Sequence, residues 1–171
     1  MSALVLIGPM GAGKTSIGRR VAKILGVPFT DTDAVIVREH GAIDRIFADH
    51  GEAHFRTLER DAVLAALDNG GVVALGGGAI LEPVTRAALL DHRVALLTVS
   101  GDTVASRLRS TVRPLLQGED PVARWHAIYE ARRPLYERTA DAIFDTSAGP
   151  LQDVVDAVAR WATTESPEER P

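Results

Sequence analysis

Residues 8–15 read Gly8-Pro9-Met10-Gly11-Ala12-Gly13-Lys14-Thr15 and lie between an apolar run and a helical pattern. The spacing G-x-x-x-x-G-K-[ST] is that of a P-loop, whose backbone N–H groups wrap phosphates while a lysine and a hydroxyl complete the cradle. Upstream, Ala3–Ile7 is apolar throughout, as expected of a strand buried on both faces. Downstream, Ile17, Val21, Ile24 and Leu25 recur at helical spacing over Lys14–Leu25, and Gly26 stands where a left-handed C-terminal cap belongs. The strand–loop–helix context gives the motif its meaning. It assigns Gly11, Ala12 and Gly13 to the phosphates, Lys14 to the β and γ phosphates, Thr15 to a magnesium ion, and Ser16 to a lesser contact. A glycine-rich turn beside a surface lysine is the bland alternative, and eight matching positions disfavour it.

The same alternation continues outward. Further strands are expected at Val27–Asp31, Gly71–Leu75, Arg93–Val99 and Ala142–Asp145. Helices are expected at Ala34–Glu39, Glu52–Leu67, Pro83–Leu90, Asp102–Leu108 with Asp102 as cap, from Asp120-Pro121 onward, and at Leu151–Trp161. Pro134 is expected to end or kink the long helix. The stretch 109–117 has no period and reads as a loop. These elements predict an α/β fold: a parallel sheet of about five strands with helices on both faces, and ligands at the strands' carboxyl ends. One domain over 1–163 and a flexible tail at 164–171 are expected.

Chemistry-bearing residues follow the strands. Asp31 and Asp33 close the second strand; in extended chain their carboxylates point the same way and could serve a metal and a hydroxyl. Arg56 and Glu59 are i, i+3 partners that, alone, read as a surface salt bridge. Gly76, Gly77 and Gly78 follow the third strand and let a ligand approach the backbone, or form only a turn. Arg107, Arg109 and Arg113 flank the irregular loop, with Arg132 and Arg133 beyond; phosphate clamping suits them better than nucleic acid, since no aromatics are interleaved. His50 and His54 have i, i+4 spacing without a zinc-site pattern, and the histidines read as surface residues. Trp125 and Trp161 read as packing.

Composition closes off other classes. The 171 residues are 46% hydrophobic and 25% charged, an ordinary globular balance. Nineteen Lys and Arg against 23 Asp and Glu leave a net charge of -4, with no basic excess for nucleic acid or anionic membranes. There is no cysteine, which removes disulfides, thiol nucleophiles and Cys-bound metals. No basic leader or membrane-length apolar run occurs, so a cytoplasmic protein is expected.

Taken together, GPMGAGKT, DTD at 31–33, FR at 55–56, GGG at 76–78, TVRPLL at 111–116 and RRPLY at 132–136 resemble shikimate kinase along nearly the whole chain. The resemblance implies a fold like that of nucleoside monophosphate kinases and transfer of a phosphoryl group from MgATP to the 3-hydroxyl of shikimate, by a monomer. It makes Asp33 the residue that orients or deprotonates the hydroxyl, and Asp31 a holder of magnesium-bound water. Arg56, Arg132, Gly77 and Gly78 become the grip on the substrate, with Glu59 fixing Arg56. It implies substrate-binding helices at about 33–62 and a mobile lid at about 109–120 whose Arg113 reaches the transferred group. Two departures stand out: His54 precedes Phe55-Arg56 where the family has an acidic residue, and Thr146–Pro150 lacks an arginine. Adenine contacts are assigned to Arg107 and Pro150. A gluconate-type kinase and a non-catalytic nucleotide switch are the competing readings.

Overall fold

The computed structural model describes residues 2–108 and 120–164. In chain order it contains β1 (Leu4–Ile7), α1 (Lys14–Leu25), β2 (Phe29–Asp31), α2 (Thr32–His40), α3 (Ile43–His50), α4 (Glu52–Asn69) and β3 (Val72–Ala74). A 3-10 turn (Ala79–Leu81), α5 (Pro83–Leu89), β4 (Arg93–Thr98), α6 (Gly101–Leu108), α7 (Pro121–Thr139), β5 (Ala142–Asp145) and α8 (Leu151–Thr163) follow. Every strand pairing is parallel, in the order β2-β3-β1-β4-β5. β1 therefore lies at the centre, where the chain moves first to one side and then to the other, and the loop after it opens at the sheet's carboxyl edge.

Alternation along the strands builds two layers. Leu4 and Leu6 of β1, with Ala95 and Leu97 of β4, meet Ile17 and Val21 of α1 and Val155 and Val158 of α8. Val5 and Ile7, with Val94 and Leu96, point the other way onto Val63 and Leu67 of α4, Leu89 of α5 and Tyr136 of α7. Each of the valines, leucines and isoleucines contributes roughly 1.5–3 kcal/mol by leaving water, so both faces of the central strands are committed. A third cluster, Ile36, Ile46 and Phe55, ties α2, α3 and α4 into a small unit beside the sheet.

Several expectations change. The helix α3 was not expected; it is only eight residues long, between Gly41 and Gly51, with Ile43, Ile46 and Phe47 as its apolar positions. α2 begins at Thr32, so Asp33 is helical rather than extended, and Asp31 is its cap. The cap of α6 is supplied by Ser100, whose Oγ accepts from the Thr103 N–H at 3.3 Å; Asp102 sits inside the first turn. Pro134 does not end α7, which runs on to Thr139. Pro134 and Glu130, whose carbonyl loses its partner, both face solvent, where water can satisfy the carbonyl. α8 extends two residues beyond the expected Trp161, to Thr163. His92 is more than a surface residue: its Nδ1 accepts the Ala3 N–H at 2.9 Å. The expected lid lies outside the described residues except for Asp120, which caps α7 by accepting from the Ala123 N–H. Among the described residues no helix is long and apolar enough to cross a membrane.

The end of α8 is stitched to the sheet. Arg93 Nη1 donates to the carbonyls of Ala162 (3.0 Å) and Thr164 (2.6 Å), and the guanidinium lies 4.4 Å from the centre of the Trp161 ring. Charge-assisted bonds to final-turn carbonyls and a cation–π contact are together worth about 1–2 kcal/mol here. Arg93→Ala is expected to lower Tm by roughly 3–6 °C. An unchanged melting temperature would show that this stitch contributes nothing.

Candidate active site

A cavity of about 630 Å³ opens at the carboxyl edge of β1, β2 and β3. One end is walled by the P-loop residues Gly11, Gly13, Lys14, Thr15 and Ser16, and the other by Arg56, Glu59, Arg132 and Gly76–Gly78. Asp31 and Asp33 lie on its lining, and Val37, Ile43, Phe47 and Phe55 from α2, α3 and α4 supply an apolar side.

The loop is fixed by contacts that the motif alone does not reveal. Gly13 caps α1 with φ 90°, a left-handed conformation that side chains resist. The Lys14 ammonium folds over the loop and donates to Gly8 O at 2.6 Å and Pro9 O at 3.0 Å. Ala12 is fully buried and outside the cavity lining; its carbonyl accepts from the Thr146 hydroxyl at 2.9 Å. Arg107 donates to Gly11 O and, at 3.1 Å, to Thr146 O, binding the loop to the end of β5. The Trp125 indole N–H donates to Met10 O at 2.8 Å, so a residue read as packing is also a prop of the loop.

Thr15 Oγ1 donates to Asp31 Oδ2 at 2.6 Å. The other oxygen, Oδ1, accepts the N–H groups of Asp33 (3.0 Å) and Ala34 (3.3 Å). A hydroxyl and a carboxylate side by side on a phosphate-binding loop are hard oxygen donors of the kind Mg²⁺ takes, with water and phosphate completing the shell. The donor set fits that ion.

At the opposite end, Glu59 is 2% exposed and pairs with Arg56, Nη1 to Oε1, at 2.8 Å; Glu52 takes Nη2 at 3.2 Å. The Arg56–Glu59 pair is thus buried rather than a surface bridge. Burial pushes the Glu59 carboxyl above its usual range, Arg56 pulls it back, and the nearby Asp33 charge raises it further. The glycines make room for these groups. A Cβ on Gly76 would stand 2.7 Å from Asp33 Oδ1 and 2.8 Å from Glu59 Oε2. One on Gly78 would collide with the Arg56 guanidinium at 2.4–2.6 Å. Arg132, 8% exposed, lies beside Gly77.

The fold therefore brings twelve of the expected site residues onto one cavity, from Gly11 through Arg132. Pro150 caps α8, is exposed, and lies off its lining. Arg113 lies outside the described residues. His50 and His54 are exposed with ring centres 4.7 Å apart, and the described residues contain no group of three metal-ligating side chains. None of Gly76, Thr146 and Tyr136 is singled out in the sequence, although GGG, Thr146–Pro150 and RRPLY contain them.

The shikimate kinase family model matches residues 10–163. The shikimate kinase of Streptomyces coelicolor is 45% identical over 157 residues, covering 90% of this chain and 91% of its own length. The chain belongs to the shikimate kinase family. It is an enzyme, a kinase. The Mycobacterium tuberculosis shikimate kinase is 47% identical over 146 residues, 84% of this chain and 83% of its own. The structure of shikimate kinase from Acinetobacter baumannii in complex with shikimate superposes with a TM-score of 0.89 at 35% identity, covering 94% of this chain and 92% of that one. A deoxyadenosine kinase from M. mycoides with bound dATP, at 16% identity and a TM-score of 0.63, shares the fold alone.

Two predictions follow for this kinase. Gly76→Ala would force Asp33 and Glu59 apart, and a displacement of this size costs roughly 10- to 100-fold in kcat; a variant with wild-type turnover would show that the close approach is unimportant. Between the ordinary carboxylate range and Glu59's raised value, the folded protein holds a proton that the unfolded chain lacks. Glu59's contribution to stability therefore falls as pH rises through that window. The Tm of Glu59→Gln minus that of the wild type should thus increase from pH 4.5 to pH 7. A constant difference would mean that Glu59 titrates normally.

Proposed function

We propose that the chain transfers the γ-phosphoryl group of ATP to the 3-hydroxyl of shikimate, giving shikimate 3-phosphate and ADP. The observation that carries this reading is the placing of Asp33 and two arginines, Arg56 beside Gly78 and Arg132 beside Gly77, in the same cavity as the P-loop. Shikimate offers one carboxylate and three hydroxyls. Planar guanidinium forks suit the carboxylate, and a carboxylate such as Asp33 suits the hydroxyls.

In this reading the backbone N–H groups of Gly11–Gly13 and the amino end of α1 hold the phosphates. Lys14 exchanges its loop carbonyls for the β and γ phosphate oxygens. Thr15 and, through water, Asp31 would hold Mg²⁺, which when bound would neutralise phosphate charge. Arg56, kept in place by Glu59, and Arg132 fix the ring, with the Gly77 and Gly78 backbone beside them. Asp33 orients the attacking hydroxyl in line with the γ phosphorus and is placed to accept its proton. Phosphoryl transfer asks chiefly for positioning and charge stabilisation, and these residues supply both. Arg113, which lies outside the described residues, is assigned to the transferred phosphoryl group, and Arg107 and Pro150 are the proposed adenine contacts.

The test is Mg²⁺-dependent ADP release with shikimate, gluconate or no acceptor, using Lys14→Ala to exclude a contaminating kinase. Turnover with shikimate alone is expected. Turnover with gluconate, or equal ATP loss without acceptor, would replace the assignment. Asp33→Asn should bind ATP as the wild type does while kcat falls roughly 10²- to 10⁴-fold; a near wild-type rate would remove Asp33 from the chemistry.

A further inference from the structure

Tyr136 lies one helical turn beyond Arg132, so the two share a face of α7. Its side chain is 1% exposed, and its hydroxyl donates to Gly77 O. The Arg132 guanidinium lies beside the same phenol. Arg132 Nη1 and Tyr136 Oη each stand 3.5 Å from the point a Gly77 Cβ would occupy. Burial pushes the phenol up to about 12, against the pull of Arg132, so it keeps its proton.

The core alone does not call for that hydroxyl. Tyr136 packs among Val63, Leu67, Leu96 and Ile80, where phenylalanine would fill the same space without an O–H to satisfy. Gly77, which the hydroxyl binds, and Arg132 beside it both line the cavity. In a planar trans peptide the carbonyl oxygen and the following N–H point in opposite directions. Drawing Gly77 O toward the phenol therefore aims the Gly78 N–H away from it, with the phenol and the guanidinium side by side over Gly77.

We propose that Tyr136 is a positioning residue for the acceptor's carboxylate, its hydroxyl locking the Gly77–Gly78 peptide and Arg132 into one donor array. This rests on the reading that Arg132 grips that carboxylate. The hydroxyl touches no reacting atom, so its loss should affect acceptor binding and leave the chemical step and ATP binding alone.

Steady-state kinetics of the full-length chain test this with shikimate, its methyl ester and ATP, on the wild type, Tyr136→Phe, Arg132→Ala and the double variant. Tyr136→Phe is expected to raise KM for shikimate about tenfold, the value of one charge-assisted hydrogen bond, with kcat and KM for ATP within about twofold. The preference for shikimate over the ester should shrink in each single variant, and the double variant should be no worse than Arg132→Ala. Equal damage to kcat and to both KM values would indicate a merely structural role and overturn the proposal. If Arg132→Ala raises KM for shikimate and Tyr136→Phe does not, the tyrosine's role alone fails. If Arg132→Ala leaves that KM unchanged, the carboxylate grip fails and the tyrosine's role falls with it.

A second measurement does not depend on Tyr136→Phe folding. The chain has two tyrosines, so 3-fluorotyrosine incorporated into a Tyr129→Phe background reports Tyr136 alone. Its ¹⁹F resonance should move on saturation with shikimate and stay in place with the methyl ester. A resonance indifferent to shikimate, or one equally moved by both, would overturn the proposal.

Discussion

Glu59 is a carboxylate almost wholly withdrawn from water, and a buried anion persists only where cations and hydrogen bonds offset its lost hydration. Arg56 at 2.8 Å meets that need, and the rest of the acceptor end is arranged around the pair. With its guanidinium held by Glu59 and Glu52, Arg56 lies flat against Gly78, and Asp33 comes within reach of Glu59 across Gly76. Three consecutive residues without side chains are the spatial counterpart of this charge cluster. The raised proton affinity of Glu59 records the stability spent on such an arrangement, which a hydrophobic core would not require.

α7 holds both ends of the cavity. Trp125 joins the cluster beneath α1 and α8, and Tyr136 joins the cluster on the opposite face of the sheet. Eleven residues separate them, about three helical turns, which brings both side chains back to nearly the same face. One grips Met10 of the phosphate loop and the other Gly77 of the glycine run. A single helix thus sets the distance between the nucleotide end and the acceptor end, and Pro134 is tolerated within it because its solvent face carries the missing hydrogen bond.

The parts of this structure readable in advance were those written as period or motif. β1, α1 and the P-loop declare themselves through an apolar run, a helical stripe and eight matched residues, and β3 through an apolar run closed by three glycines. α3 escaped because eight residues give too few turns for a period to rise above chance. The capping role of Asp31 escaped because DTD looks extended until the helix is known to start at Thr32. Arg56–Glu59 illustrates a deeper limit: an i, i+3 pair looks the same in sequence whether water surrounds it or not, and only the packing of α4 against the sheet decides. Trp125 reads as packing, and Tyr136 only as the end of RRPLY, because sequence says nothing about where a lone N–H or O–H will point.

The stitch at Arg93 has a consequence for handling the molecule. Arg93 also joins its own N–H to Ala3 O, so the first strand's entry, the fourth strand's entry and the end of α8 meet at the amino edge of the sheet. The cavity opens at the carboxyl edge, across the full thickness of the domain. An affinity handle, a fusion partner or a surface linker attached beyond either Ala3 or Thr164 would leave from the rear of the molecule, with the mouth of the cavity turned toward the solution.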